Sequence, residues 1–275
     1  MGEEINQYKE EIEEAARIIK VSKYVVALTG AGVSVASGIP PFRGPDGLWT
    51  KHGEPPLNDY QRFLEDPVKW WEQRINKTGF YRDFTETLST AEPNPSHLAL
   101  AELEKMGFLK CLITQNIDNL HRRAGSKNIA EIHGNASLLR CIACGKRFEP
   151  KTFSITLDSL PPKCPECKMG IIKNDTVLFG ENIPGDVLGK CFLESSKSDC
   201  FLAIGTSALV YPAAGLPIRA KEMNNAWLIE VNPYETGISD LCDVVIRLPS
   251  NIALPLIVQK IKELKELGRE RSKSD

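Results

Sequence analysis

The apolar residues of this chain gather in short unbroken runs, each closed by a glycine-containing or polar cluster. Tyr24 to Leu28 precedes Thr29-Gly30-Ala31-Gly32, and Cys111 to Ile113 precedes Thr114-Gln115-Asn116-Ile117-Asp118. Phe201 to Ile204 precedes Gly205-Thr206-Ser207, and Trp227 to Val231 precedes Asn232. Runs bounded in this way predict strands buried on both faces of a parallel sheet, with Asp243 to Leu248 as a fifth. Between them the period changes. Ile5, Tyr8, Ile12, Ala15, Ala16 and Ile19 recur at helical spacing, and His97 to Met106 reads as another helix. The alternation predicts an α/β fold with a doubly wound parallel sheet, whose ligands sit outside the C-terminal ends of the strands. The polar clusters fall at those ends.

Two segments break the alternation. Residues 45–95 carry Trp49, Trp70, Trp71, Phe80, Tyr81 and Phe84 among polar residues and read as a helical module, its aromatics forming a local core with some lining a cleft. Residues 139–174 carry two cysteine pairs and form a second module. Residues 1–44, 96–138 and 175–275 remain for a discontinuous sheet domain. The charged tail from Lys262 to Asp275 reads as a solvated helix end. With 42% hydrophobic and 25% charged residues, the 275-residue chain is a globular one. A net charge of −2 offers no basic footprint, so no direct nucleic-acid binding is expected. The acidic N-terminus and the absence of a long apolar run predict a cytoplasmic protein without membrane attachment. A monomer is the favoured state.

Cys141-Ile142-Ala143-Cys144 and Cys164-Pro165-Glu166-Cys167 give the pattern C-x2-C-x19-C-x2-C. Two such knuckles complete a tetrahedral thiolate site for one structural zinc ion. Redox or disulfide readings explain each pair separately and leave the pairing of pairs unexplained. The remaining cysteines, Cys111, Cys191, Cys200 and Cys242, read as small core residues.

Thr29 to Trp49 begins like a dinucleotide fingerprint. Its third glycine is missing, because position 35 is Val35, and a loop rich in proline (Gly38, Ile39, Pro40, Pro41) replaces the expected helix. Small residues at the strand ends still suit a nucleotide: Gly30, Ala31 and Gly32, with Gly205, Thr206 and Ser207, would let a pyrophosphate approach backbone amides. Gln115, Asn116 and Asp118 would face the same crevice, and Asn232 is placed for a ribose hydroxyl. Of the four histidines, His52 lies in a polar loop, His97 at a helix start where it caps or packs, and His121 in a helix beside Arg122 and Arg123. His133 closes the run Ile129 to Ile132 and precedes Gly134. Its position leaves open whether it is a base active near neutral pH or a satisfied structural histidine.

Taken in order, Gly30 to Ser34, Ser37 to Pro40, Phe42-Arg43-Gly44, Thr114 to His121, His133-Gly134, Phe179-Gly180-Glu181, Gly205-Thr206-Ser207 and Val231-Asn232 resemble the sirtuins, NAD-dependent protein deacylases. The resemblance runs from about Tyr24 to Leu248, with the cysteine pairs where that family carries a zinc ribbon. It implies a Rossmann-like sheet domain with an inserted small domain made of the helical module and the ribbon. It also implies that NAD is consumed, which gives the proline-rich loop a purpose: a cover that closes over the nicotinamide ribose and lets nicotinamide leave.

By that resemblance the NAD site comprises Gly30, Ala31, Gly32, Ser34, Ile39, Pro40, Phe42, Arg43 and Trp49 from the first half. Gln115, Asn116, Ile117, Asp118 and His133 follow, then Gly205, Thr206, Ser207, Val231, Asn232 and Pro233, with an adenine contact near residues 250–252. Catalysis is implied for His133, Asn116, Asp118 and Arg43. The acyl oxygen of the substrate lysine attacks the anomeric carbon as nicotinamide departs, and His133 then acts as base for a ribose hydroxyl, giving lysine and 2'-O-acyl-ADP-ribose. An acylated protein or peptide would add as a strand between Val177, Phe179, Gly180 and Glu181 on one side and Val210 and Tyr211 on the other. Phe179 reads equally well as simple packing. Acetyl is the favoured acyl group. The alternatives are removal of succinyl or malonyl groups, for which Arg74 and Lys77 are the cations to watch, and mono-ADP-ribosyl transfer.

Overall fold

In the computed structural model, which describes residues 6–41, 47, 50–51, 53–54, 56–76 and 80–271, the chain forms nine strands among those residues. They are β1 (Val25–Thr29), β2 (Leu109–Thr114), β3 (Ile129–Glu131), β4 (Gly134–Cys141), β5 (Arg147–Phe148), β6 (Ile172–Thr176), β7 (Cys200–Ile204), β8 (Trp227–Val231) and β9 (Val244–Ile246). Six of them pair in parallel in the order β3-β2-β1-β7-β8-β9. The chain builds outward from β1 to β3, then returns to the centre and builds the other way from β7. The reversal falls between β1 and β7, where the connections leave in opposite directions and a crevice opens at the C-terminal strand ends. The five strands predicted from apolar runs are all present, and Ile129–Glu131 adds a sixth at the edge.

Every residue of β1 is buried, which explains why it reads as an unbroken apolar run. Val25 and Ala27 face a core shared with helices Lys9–Val21, Pro95–Lys105 and Ser250–Arg271. Val26 and Leu28 point the other way, into a core shared with helices Gly185–Lys197 and Gly215–Asn224. The described residues directly after β1, 30–41, form no α-helix. Two 3-10 turns, Ala31–Val33 and Val35–Ser37, are closed by Gly38 in the left-handed region at φ 83°. The helix that carries the chain back toward β2 is Pro95–Lys105. Asn94 starts it by accepting from the Ser96 amide, the His97 ring accepts from the Asn94 amide in return, and Pro95 occupies the first turn.

Residues between these turns and that helix form Asp59–Glu65, Pro67–Ile75 and Phe80–Thr90. Three short helices enclose little by themselves. The first two share a core with the antiparallel sheet β5-β4-β6, where Phe63, Trp70 and Trp71 pack with Leu139, Cys141, Cys164 and Ile172, while Leu88 of the third packs with Ile39, Ala91 and Leu120. Phe63 meets Trp70 edge-on at 5.0 Å, and the Trp71 indole N–H donates to the Ile172 carbonyl at 2.9 Å. The two insertions therefore form one small layer beside the crevice. No helix among the described residues is long and apolar enough to cross a membrane.

Candidate active site

At the switch point the turns after β1 and β7 touch. The Gly30 amide donates to the Ile204 carbonyl at 3.1 Å and the Gly32 amide to the Gly205 carbonyl at 2.8 Å. A Cβ on Gly30 would lie 2.8 Å from the Gly205 oxygen, and one on Gly205, at φ +57°, would lie 2.6 Å from the Val33 nitrogen. These glycines are there for close approach of two backbones. The expectation that both amides point at a pyrophosphate is corrected for Gly30 and Gly32, whose N–H groups are engaged by the β7 turn. Thr206 then ties three loops together. Its hydroxyl accepts from Gln115 Nε2 at 2.8 Å, and its carbonyl accepts from Asn232 Nδ2 at 3.0 Å. Asn232 Oδ1 accepts from the Tyr234 amide at 3.1 Å.

Ser34 is a second hub, 1% exposed. Its hydroxyl donates to Asp118 Oδ2 at 2.7 Å and accepts from Asn116 Nδ2 at 3.1 Å, while Asn116 also donates to the Gly30 carbonyl at 3.1 Å. Burial raises the Asp118 carboxyl above its usual range, opposed by hydrogen bonds from Ser34 and from the Leu120 amide. Behind Ser34 lie two histidines that do not reach the crevice. His97 accepts an amide proton at Nδ1, so its Nε2, 3.5 Å from Ser34 Oγ, carries the hydrogen. Burial pulls it down to about 4. His121 Nε2 lies 3.0 Å from Thr29 Oγ1, whose own proton goes to Thr114 Oγ1, and burial puts its pKa well below that of an ordinary imidazole. Both rings are neutral packing elements, 4.7 Å apart.

His133 sits on the turn between β3 and β4. Gly134 beside it has φ +81°, and a Cβ there would fall 1.9 Å from the Asp175 carbonyl oxygen. The His133 Nδ1 lies 3.2 Å from the Gln115 carbonyl. A carbonyl only accepts, so Nδ1 carries the proton and Nε2 keeps its lone pair. Burial lowers the pKa of this imidazole, with the Gln115 bond opposing. Such a ring is neutral at neutral pH and ready to take a proton.

One cleft is lined by His133 together with Gly30, Ala31, Gly32, Ile39, Pro40, Gln115, Asn116 and Ile117. Gly205, Thr206, Ser207, Val231, Asn232 and Pro233 line its far side, and Ser250 and Asn251 lie along it where an adenine contact is expected. Ser34 and Asp118 line a small recess that shares Ala31, Ile39 and Asn116 with the cleft. Phe42, Arg43 and Trp49 lie outside the described residues, as do His52 and Lys77. Val177, Phe179, Gly180, Glu181, Val210 and Tyr211 line the same cleft. The Val177 amide donates to the His133 carbonyl at 2.9 Å, and the Phe179 carbonyl accepts from the Tyr60 amide at 3.0 Å. Glu181 turns its carboxylate to Arg140 at 2.7 Å and Lys173 at 3.0 Å, so the carboxylate is engaged away from the cleft. Arg74 also borders the cleft, its guanidinium 3.1 Å over the Trp70 ring.

Sequence reasoning passed over Tyr234, which lines the cleft, and the buried pair Glu131 and Asn135 that flanks His133. Nothing in the apolar pattern marks Glu131 and Asn135.

Away from the cleft, the sulfurs of Cys141, Cys144, Cys164 and Cys167 all lie within 4.8 Å of one another. Cys141 and Cys167 are 3.7 Å apart and Cys144 and Cys164 3.8 Å. A tetrahedral zinc with bonds of about 2.3 Å sets its sulfurs about 3.8 Å apart, so the set fits that ion. The Gly170 amide points at Cys167 Sγ from 3.4 Å, and such amides bring that thiol down to about 6, whereas burial pushes Cys141 up to about 12. A Cβ on Gly170 would sit 2.3 Å from Cys141 Sγ, so this position is shaped around the sulfurs.

The sequence model of the Sir2 family matches residues 30–212. The chain is 41% identical over 253 residues to NAD-dependent protein deacylase 1 of Archaeoglobus fulgidus, covering 91% of this chain and 98% of that protein. It is 43% identical over 254 residues to an NAD-dependent protein deacetylase of Sulfurisphaera tokodaii, covering 92% and 96%. Among solved structures it superposes on a Sir2 homologue in complex with NAD with a TM-score of 0.76, at 40% identity, covering 92% of this chain and 94% of that one. A Sir2 protein with a deacetylated p53 peptide and 3'-O-acetyl-ADP-ribose gives 0.73 at 33% identity, covering 90% and 98%.

Proposed function

The chain belongs to the Sir2 family, and from that premise we propose that it is an NAD-dependent protein-lysine deacetylase, moving the acetyl group of an acetyl-lysine onto ADP-ribose with one water consumed and lysine, nicotinamide and 2'-O-acetyl-ADP-ribose released. NAD supplies a labile bond between nicotinamide and ribose; the rest of the task falls to this chain. Gln115, Asn116, Ile117 and Asp118 take the nicotinamide end, with Asn116 and Asp118 held in register by Ser34. Gly30, Ala31, Gly32, Gly205, Thr206 and Ser207 leave room for the pyrophosphate. Asn232 serves the ribose with the one donor and one acceptor that its bonds to Thr206 and Tyr234 leave over. By the family resemblance Phe42, Arg43 and Trp49 serve the same cofactor, Arg43 acting on the reacting ribose. His133 takes the proton of a ribose hydroxyl at Nε2, and the acyl-lysine enters along Val177 to Glu181 and Val210 to Tyr211.

The observation that carries this reading is the fixed tautomer of His133 inside the cleft. It leaves a lone pair where a hydroxyl proton has to go, and nothing about it serves hydride transfer. Cys141, Cys144, Cys164 and Cys167 would hold zinc, which supplies folding energy; four thiolates leave the ion no position for substrate. Because those thiols must stay reduced, a cytoplasmic, reducing location fits. Acetyl is favoured over succinyl because Arg74 is drawn onto the Trp70 ring and donates to the Trp70 carbonyl.

The deciding assay mixes the protein with NAD and acetylated, succinylated or unmodified peptide and separates the products by chromatography. Nicotinamide and deacylated peptide should appear together, fastest with the acetylated peptide, and His133→Ala should remove the deacylation. Equal nicotinamide release with unmodified peptide would make the protein an ADP-ribosyltransferase instead.

A further inference from the structure

Ile132 and His133 form the whole link between Glu131, the last residue of the edge strand β3, and Gly134, the first of β4. Glu131 and, next to Gly134, Asn135 are buried and polar, 5% and 1% exposed. They are bonded to each other across it. Asn135 Nδ2 donates to Glu131 Oε1 at 2.6 Å and to Asn119 Oδ1 at 2.9 Å, and Asn135 Oδ1 accepts from the Ser137 amide at 2.8 Å. The Glu131 carboxylate is held in turn by Arg122, with Nε 2.9 Å from Oε1 and Nη2 3.0 Å from Oε2, and Arg147 Nη1 stands 3.8 Å from Oε2. A buried carboxylate is costly unless paired, and two arginines pair this one.

We propose that Glu131 is a positioning residue for the deacetylation step: its bond to Asn135 staples the turn that carries His133 and so holds the imidazole with Nδ1 on the Gln115 carbonyl and Nε2 toward the cleft. The link is short, and Gly134 in the left-handed region contributes no side chain to stiffen it. The backbone around it is held by the Val177 amide on the His133 carbonyl, the Ile132 amide on the Thr114 carbonyl and the pairing of Gly134 with Thr176, none of which fixes the side chains inside the turn as the Glu131–Asn135 bond does. Without the staple the turn loses its inner brace, and the imidazole loses the fixed distance on which a single proton transfer depends. Misplacement of a base by about 1 Å costs on the order of 100-fold in rate.

This rests on the deacetylase reading, in which His133 acts only after nicotinamide has departed. That order separates positioning from general damage. Exchange of labelled nicotinamide into NAD in the presence of acetyl-peptide reports the first bond cleavage and does not need the base. Glu131→Ala should therefore lower deacetylation roughly 10- to 100-fold while exchange stays within about threefold of the parent. Glu131→Gln, which keeps an oxygen for Asn135, should recover most of the rate. Independently of any turnover, 15N NMR of the His133 ring should show the Nδ1–H tautomer in the parent and in Glu131→Gln, and a tautomer mixture in Glu131→Ala. Should Glu131→Ala fail to fold, Asn135→Ala removes the other half of the staple and carries the same expectations. Parallel loss of exchange and deacetylation, or full deacetylation with an unchanged ring spectrum in the alanine variant, overturns the proposal. A parent that does not deacetylate at all would count against the deacetylase reading, and the ring spectra would still judge the staple.

Discussion

His133 shows how much a single hydrogen bond can decide. The Gln115 carbonyl fixes the proton on Nδ1, and burial holds the ring below the ordinary imidazole pKa, so the reactive nitrogen is unprotonated across the neutral range. The acid limb of the deacetylation rate should accordingly have its midpoint below 6.5, and a pH profile of kcat/KM on acetyl-peptide checks this; a midpoint above 6.5 would contradict it. His97 and His121 point the same way for stability. All three histidines have folded-state pKa values below their unfolded ones, so the unfolded chain binds more protons once the pH drops below about 6.5. Stability should fall from there toward pH 4, each ring contributing at most about 1.4 kcal/mol per pH unit. Asp118 and Asp175 oppose this, since burial raises both, Asp175 to about 6, and acid favours their folded form. Urea melts at pH 7 and pH 5 measure the balance, and His97→Asn, which keeps a polar cap, should flatten the slope.

At the level of elements, the strands of the parallel sheet were legible because nearly every position is buried, so polar residues such as Lys110 in β2 and Glu230 in β8 interrupt the apolar runs only singly. The turn after β1 was legible as an oddity, with Val35 where a third glycine belongs. Its reason was not, since the partner of Gly30 and Gly32 is Gly205, far away in sequence. Gly205→Ala should cost about 1–3 kcal/mol in a denaturant melt, because a Cβ at φ +57° meets the Val33 nitrogen and pushes the two turns apart. NAD affinity, read by calorimetry, should fall with it. The Trp70 and Trp71 core was expected inside the helical module, yet its other half comes from the ribbon. No spacing in the chain announces a contact such as Trp71 to Ile172. The site clusters at strand ends were visible as clusters; which amides and carboxylates remained available, as at Gly32 and Glu181, depended on partners only the folded chain supplies.

Across the whole molecule, the ribbon and the crevice are joined by charge as well as by packing. Arg147, from the strand after the first cysteine pair, reaches Asp175 at 2.8 Å and Glu131 at 3.8 Å, so the ribbon leans on the carboxylate beside the His133 turn. Zinc removal by a chelator should therefore lower deacetylation as well as loosen β4, β5 and β6, with hydrogen exchange rising first around the cysteines. Gly170→Ala should weaken zinc binding at least tenfold, because its methyl group would displace Cys141 Sγ. In the proposed enzyme the lone pair of His133 faces the sugar of a dinucleotide lying across the switch point. A crystal structure with ADP-ribose bound measures it directly. The pyrophosphate should lie over the paired glycine turns, with His133 Nε2 within hydrogen-bond distance of a ribose hydroxyl; a nucleotide bound elsewhere, or an imidazole turned from the sugar, would overturn this.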